Sequence, residues 1–263
     1  MFSSFMANAW IVGTLVALLA GATGFFVVLR GSSFAAHAIP NGAFAGAAGA
    51  ALVGVTPLVG LVGFAVVASL GIGASRRHRS DVATAIALVM MLALGAAFLS
   101  LSAAYEPQVE ALLFGEILGV STTSILPVVV IASLCALALA VMYRPLLFNA
   151  AAPDLATVRG LDPRRLEMGF MLTLALGAAL TVPVVGALLT FSLTVGPPAA
   201  ARLVTRRPLS ALVASMFLSA ATLWASIAAS YQSNLPVGFF VGTLSAVVYV
   251  LARLSCAWRR RRA

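Results

Sequence analysis

The sequence predicts an all-α polytopic membrane protein, a bundle of about nine transmembrane helices. Three observations predict it. Hydrophobic residues fill 62% of the 263 positions and charged residues only 9%, against roughly 25% charged in a soluble domain. The apolar residues form runs of about 18 to 23, the length that crosses a bilayer. Nearly every arginine falls between those runs. In hydrocarbon each backbone N–H and C=O must be bonded within its own segment, so the runs are helices. The alternating polar positions of a β-barrel are absent.

The first run, 9–29, ends at Arg30. It lacks the basic start of a secretion signal and reads as a retained span. The second, 34–55, carries Gly42 and Gly46, continued by Gly49 and Ala50. The third, 57–75, carries Gly60, Gly63, Gly71 and Gly73. Small residues at this spacing let helix backbones approach closely. The fourth is 81–103. Residues 105–121 are too short and too polar to span, and form an outer surface or re-entrant segment. The fifth is 124–143. Spans 166–183 and 184–203 share a tight stretch with Pro183, Pro197 and Pro198, so they are expected to be short, kinked or re-entrant. The last two are 209–230 and 236–254. Residues 1–263 thus form one transmembrane domain, with no room for a separate soluble one.

Basic and non-basic connections alternate along the chain. Arg30, the Arg76–Arg79 loop, the 144–165 stretch, the 202–207 stretch and the tail from Arg253 are basic. The positive-inside rule therefore puts the C-terminus in the cytoplasm and the N-terminus outside. The net charge of +9 is all arginine. It is explained by these loops rather than by nucleic acid, and the tail Arg259–Arg262 suits anionic membrane lipid. Two cysteines, Cys135 in a span and Cys256 beside the tail, give no disulfide framework or zinc site.

Asp81 and Glu167 sit at the cytoplasmic edges of their runs, and no Asp or Glu lies deeper within a predicted span. Proton- and sodium-driven carriers commonly use one, so a secondary transporter is a poor fit. No acid, base and nucleophile converge as an enzyme requires. There is no G-x-x-x-x-G-K-[ST] loop, so this chain does not itself hydrolyse ATP. His37 is the one histidine inside a span. Ser33, His37 and Asn41 recur every four residues and share one helix face. Pro40 beside them frees a backbone carbonyl. This face either hydrogen-bonds across helices or holds a transition metal. In the outer segment Glu106, Glu110 and Glu116 form either an ordinary solvated loop or an acidic rim that concentrates cations at a pore mouth. In the basic stretch, residues 152–161 form a short bounded helix. Pro153 suits its first turn, Asp154 the dipole there, and Gly160 the stop. Such a helix, fixed between two spans, is a mechanical handle for a partner.

These residues resemble the membrane-spanning permease of ATP-binding-cassette importers for zinc, manganese or iron(II), the ABC-3 family. The resemblance covers nearly the whole chain. His37-Ala38 followed by Gly42 and Gly46 is similar to the family's second-helix signature. Leu113–Ser121 resembles its outer segment, and Pro153-Asp154-Leu155-Ala156 with Gly160 its coupling helix. Val185–Leu189 with Pro198–Leu203 resembles the seventh-helix region, and Ser230-Tyr231 with Leu235-Pro236 and Gly238 the final turn. The resemblance implies a metal path through His37, Ser33 and Asn41, with Ser33 standing where the family has an aspartate. It implies a dock for a separate ATPase subunit at Pro153, Asp154, Ala156, Arg159 and Gly160. It further implies an extracytoplasmic metal-binding protein, a second permease copy as a homodimer, and residence in a prokaryotic plasma membrane. No cofactor is expected on this chain. The metal is cargo and ATP belongs to the partner. A permease for chelated iron or a corrinoid is the alternative.

Overall fold

The computed structural model describes residues 4–75, 80–101, 113, 115, 125–205, 207–233 and 235–262. Among the described residues ten helices form and no strand. They are α1 (Ser4–Arg30), α2 (Ser33–Val53), α3 (Pro57–Ser75), α4 (Ser80–Ser100), α5 (Ile125–Ala151), α6 (Pro153–Val158), α7 (Pro163–Val185), α8 (Ala187–Val204), α9 (Pro208–Ser233) and α10 (Val237–Arg262). Among the described residues five stretches are long and apolar enough to cross a membrane: Ala7–Arg30, Ile125–Ala151, Pro163–Val185, Pro208–Ser233 and Val237–Trp258.

The helices run in two opposed directions. Trp224 of α9 donates its indole N–H to Thr14 of α1 at 3.0 Å, and the Ser215 hydroxyl of α9 donates to the Gly21 carbonyl at 2.6 Å. Residue numbers rise in α1 as they fall in α9, so the pair is antiparallel. Arg202 at the end of α8 donates to the Val28 carbonyl at the end of α1, at 3.1 Å; these two run parallel. Cys135 of α5 faces Thr173 of α7, and Met142 faces Gly169, again antiparallel. One end of the bundle thereby gathers Arg30, Arg202 and the basic stretch around α6.

α2 is the most enclosed segment. From Ala35 to Ala48 every residue except His37 is buried, with α3 and α4 on one side and α7 and α8 on the other. Glycine makes this possible. A β-carbon on Gly46 would overlap the Gly60 carbonyl of α3, and one on Gly60 would overlap that of Gly46. The small-residue steps in the sequence are therefore backbone contacts.

The reading of 166–183 as short and kinked gives way to a full helix. α7 begins at Pro163 because Asp162 caps it, accepting the Arg164 N–H at 2.9 Å, with proline at the first position. Gly186 alone separates α7 from α8. Its φ of +93° is open to glycine and strained for other residues, and it lets the chain reverse in one residue. Pro183, Pro197 and Pro198 sit inside the helices.

Candidate functional site

Ser33, His37 and Asn41 share one face of α2, as their spacing predicts. Asn41 is 0% exposed, while Ser33 and His37 are half-buried. The Asn41 side-chain amide donates to the His37 carbonyl at 2.7 Å. That uses the Asn41 nitrogen and leaves its Oδ1 buried with no partner. His37 Nδ1 is also buried with no partner. Pro40 has no N–H to give the Ala36 carbonyl one turn earlier. Buried polar atoms are nearly always bonded; these two, among nine such unpartnered side-chain atoms in the described residues, stand one turn apart on the enclosed α2 and are free to accept a further ligand.

The wall opposite comes from α8. The Phe191 ring meets the His37 imidazole edge to face, with centroids 5.2 Å apart and planes at 75°. Thr190 and Thr194 flank Phe191, but their hydroxyls donate to Gly186 and Thr190 carbonyls of their own helix, at 2.7 and 2.9 Å. The donors left at the α2 face are therefore imidazole nitrogen and neutral oxygen. Among the described residues no group of three or more His, Cys, Asp or Glu gathers anywhere. A neutral donor set of this kind suits an ion that passes through better than one held permanently, because no carboxylate offsets its charge.

The second expected site is α6. Pro153 takes its first position and Asp154 its first turn. Ala156 is 0% exposed and anchors the helix inward. Gly160 has φ +78°, and its N–H and that of Leu161 bond back to the Thr157 and Ala156 carbonyls at 3.0 and 3.1 Å. This glycine stop closes the helix. The Arg159 guanidinium lies 5.3 Å from the centroid of the Phe148 ring in α5, so α6 is pinned to the helix before it. Leu155 and Val158 are 60% and 84% exposed. Two apolar side chains facing out of a six-residue helix form the tip of the handle. They were not among the sequence candidates, because the stretch around them is itself rich in alanine and leucine and does not single them out.

Glu106, Glu110 and Glu116 lie outside the described residues. Of their segment, Gly115 is described, with φ +81°. A β-carbon there would meet the Val184 carbonyl oxygen at 2.5 Å and the Gly186 nitrogen at 2.7 Å. Gly115 thus rests directly on the α7–α8 break.

Comparison with known proteins gives this arrangement a context. Manganese transport system membrane protein MntC of Listeria monocytogenes is 27% identical over 254 residues, covering 95% of this chain and 90% of that protein. Manganese import system permease protein ScaB of Streptococcus parasanguinis is 27% identical over 251 residues, covering 94% and 89%. The structure of PsaBC from Streptococcus pneumoniae in complex with Fab contains a chain of the same fold, with a TM-score of 0.86 at 24% identity, over 95% of this chain and 91% of that one. Residues 2–255 match the ABC 3 transport family. The chain belongs to the ABC 3 transport family.

Proposed function

We propose that this permease carries a divalent transition-metal ion into the cytoplasm, manganese(II) first, with zinc and iron(II) as the nearest competitors. The observation that carries the reading is the pair of orphaned atoms, His37 Nδ1 and Asn41 Oδ1, on the enclosed α2. Imidazole and neutral oxygen are suitable ligands for such ions. The names of MntC and ScaB support manganese. The chain is a multi-pass plasma-membrane permease of an ATP-binding-cassette system and not an enzyme, as its family implies.

In this reading α1 to α5 and α7 to α10 are the nine spans, and α6 lies in the cytoplasm. The opposed helix directions and the gathering of arginines at one end support that sidedness. An extracytoplasmic protein delivers the ion at the outer segment, where Glu106, Glu110 and Glu116 form the rim. The ion passes Ser33, His37 and Asn41, which replace part of its hydration shell. Two copies of the chain enclose the path as a homodimer. An ATPase subunit grips Leu155 and Val158 beside Pro153, Asp154, Ala156, Arg159 and Gly160. Its movements reach the path because α6 leads directly into α7, which packs on α2.

Growth rescue tests the function. A bacterium lacking its manganese, zinc and iron(II) importers receives this chain together with its ATPase and binding-protein partners. Rescue in manganese-limited medium is expected. Rescue only on chelated iron or a corrinoid would overturn the reading.

A further inference from the structure

A groove of about 550 Å3 runs along α1 between α5 and α9. Leu15, Leu18 and Ala22 form its floor, and Ala136, Ala140 and Leu212 line its walls. α5 and α9 each pack along α1 without a packed interface between them, so the floor is not closed over. Ala136 and Ala140 are exposed. Apart from Ser133 and the Tyr143 hydroxyl the lining is apolar. An unfilled apolar groove loses dispersion contacts along its whole length.

Its dimensions and ends select the occupant. From Ala132 to Tyr143 the groove follows α5 for about 16 Å, which is one leaflet of a hydrocarbon core about 30 Å thick. It lies at the basic end of the bundle. Ala136, Ala140 and Arg144 stand four residues apart, so Arg144 continues the α5 wall one turn beyond the groove. Arg207 stands just before α9, where its carbonyl accepts the Ala211 N–H at 2.9 Å. Leu209, two residues on, lines the groove. Both arginines are exposed, and among the described residues neither forms an ion pair. Arg30, by contrast, is committed to Glu167. Tyr143 closes the groove with an amphipathic ring suited to the headgroup level.

We propose that this groove binds an anionic phospholipid of the cytoplasmic leaflet, with one acyl chain along Leu15, Leu18 and Ala22 and the phosphate at Arg144 and Arg207. Any lipid chain fills the apolar part; the two arginines select the charge. The bound lipid ties α5, and through it the α6 handle, to α1 and α9. The assignment uses the basic end as the cytoplasmic one, but it needs no metal chemistry.

Native mass spectrometry of the permease–ATPase complex tests it. The complex is released from nanodiscs of equal parts phosphatidylglycerol and phosphatidylcholine, and retained lipid is counted. Preferential retention of phosphatidylglycerol is expected. The double variant Arg144→Gln with Arg207→Gln should lower that retention at least about tenfold, Arg→Lys at both positions should restore most of it, and Ala140→Phe should displace the chain. Equal retention of both lipids, or retention indifferent to all these variants, would overturn the proposal. So would efficient cross-linking of Ala140→Cys between two copies, which would make the groove a seam between chains. Because retention and metal uptake are read separately, failure here leaves the transport reading standing.

Discussion

Arg30 at the end of α1 and Glu167 at the start of α7 form an ion pair across the basic end of the bundle, with both side chains nearly excluded from solvent. The guanidinium also lies 5.4 Å from the centroid of the Phe170 ring, one turn further along α7. This pair fixes α1 to α7 only a few residues after α6, so it anchors the helix that α6 leads into. Removing one member of a buried pair leaves the other charged and unpaired, at a cost of about 3–5 kcal/mol. Glu167→Ala is therefore expected to lower the melting temperature of the purified complex sharply, and Arg30→Met with Glu167→Leu to recover most of the loss. Thermal unfolding followed by size-exclusion yield measures both. A single variant as stable as the parent would show the pair to be idle.

The exposed pair Leu155 and Val158 gives a second expectation. Truncating buried apolar side chains at an interface costs about 1–3 kcal/mol each. Leu155→Ser with Val158→Ser should reduce co-purification of the ATPase subunit at least tenfold (about 1.4 kcal/mol), with permease yield unchanged. Gly160→Val, forced to hold a left-handed backbone at a cost of about 1–2 kcal/mol, should weaken the same complex through the shape of α6. Pull-down with the ATPase subunit reads both. Undiminished capture would move the dock elsewhere.

Much of this was legible in the chain before any coordinates. Length and apolarity located the five long apolar helices, because the bilayer fixes how many residues a span needs. Pro153 and Gly160 bounded α6 because their backbone preferences are local. The spacing of Ser33, His37 and Asn41 put them on one face because helical periodicity is local too. What the sequence withheld is tertiary. Glu167 lies 137 positions from Arg30, and nothing in either neighbourhood names the other. Phe191 meets His37 only because α8 packs on α2. α7 begins three residues before its apolar run at 166, because its first turn, Pro163-Arg164-Arg165, is held by a cap rather than by apolar burial.

Ser33 stands where the family resemblance places an aspartate, one turn before His37. On the proposed path, serine supplies no compensating charge. A carboxylate at about 4 Å from a cation is worth several kcal/mol even at a high effective dielectric. Ser33→Asp is thus expected to tighten manganese(II) binding by the permease at least about tenfold and to slow release into the cytoplasm. Isothermal titration and single-turnover uptake read the two effects. Unchanged affinity would place Ser33 off the path.

In the proposed mechanism the α2 face at His37 touches the ion in transit. The most direct measurement is uptake of radiolabelled manganese(II) into proteoliposomes containing the complete complex, comparing the parent with His37→Ala and His37→Gln. His37→Ala is expected to abolish most uptake while the ATPase subunits stay bound and hydrolyse ATP, and His37→Gln, which keeps a neutral donor, to retain a measurable part. Uptake by His37→Ala equal to that of the parent would contradict it.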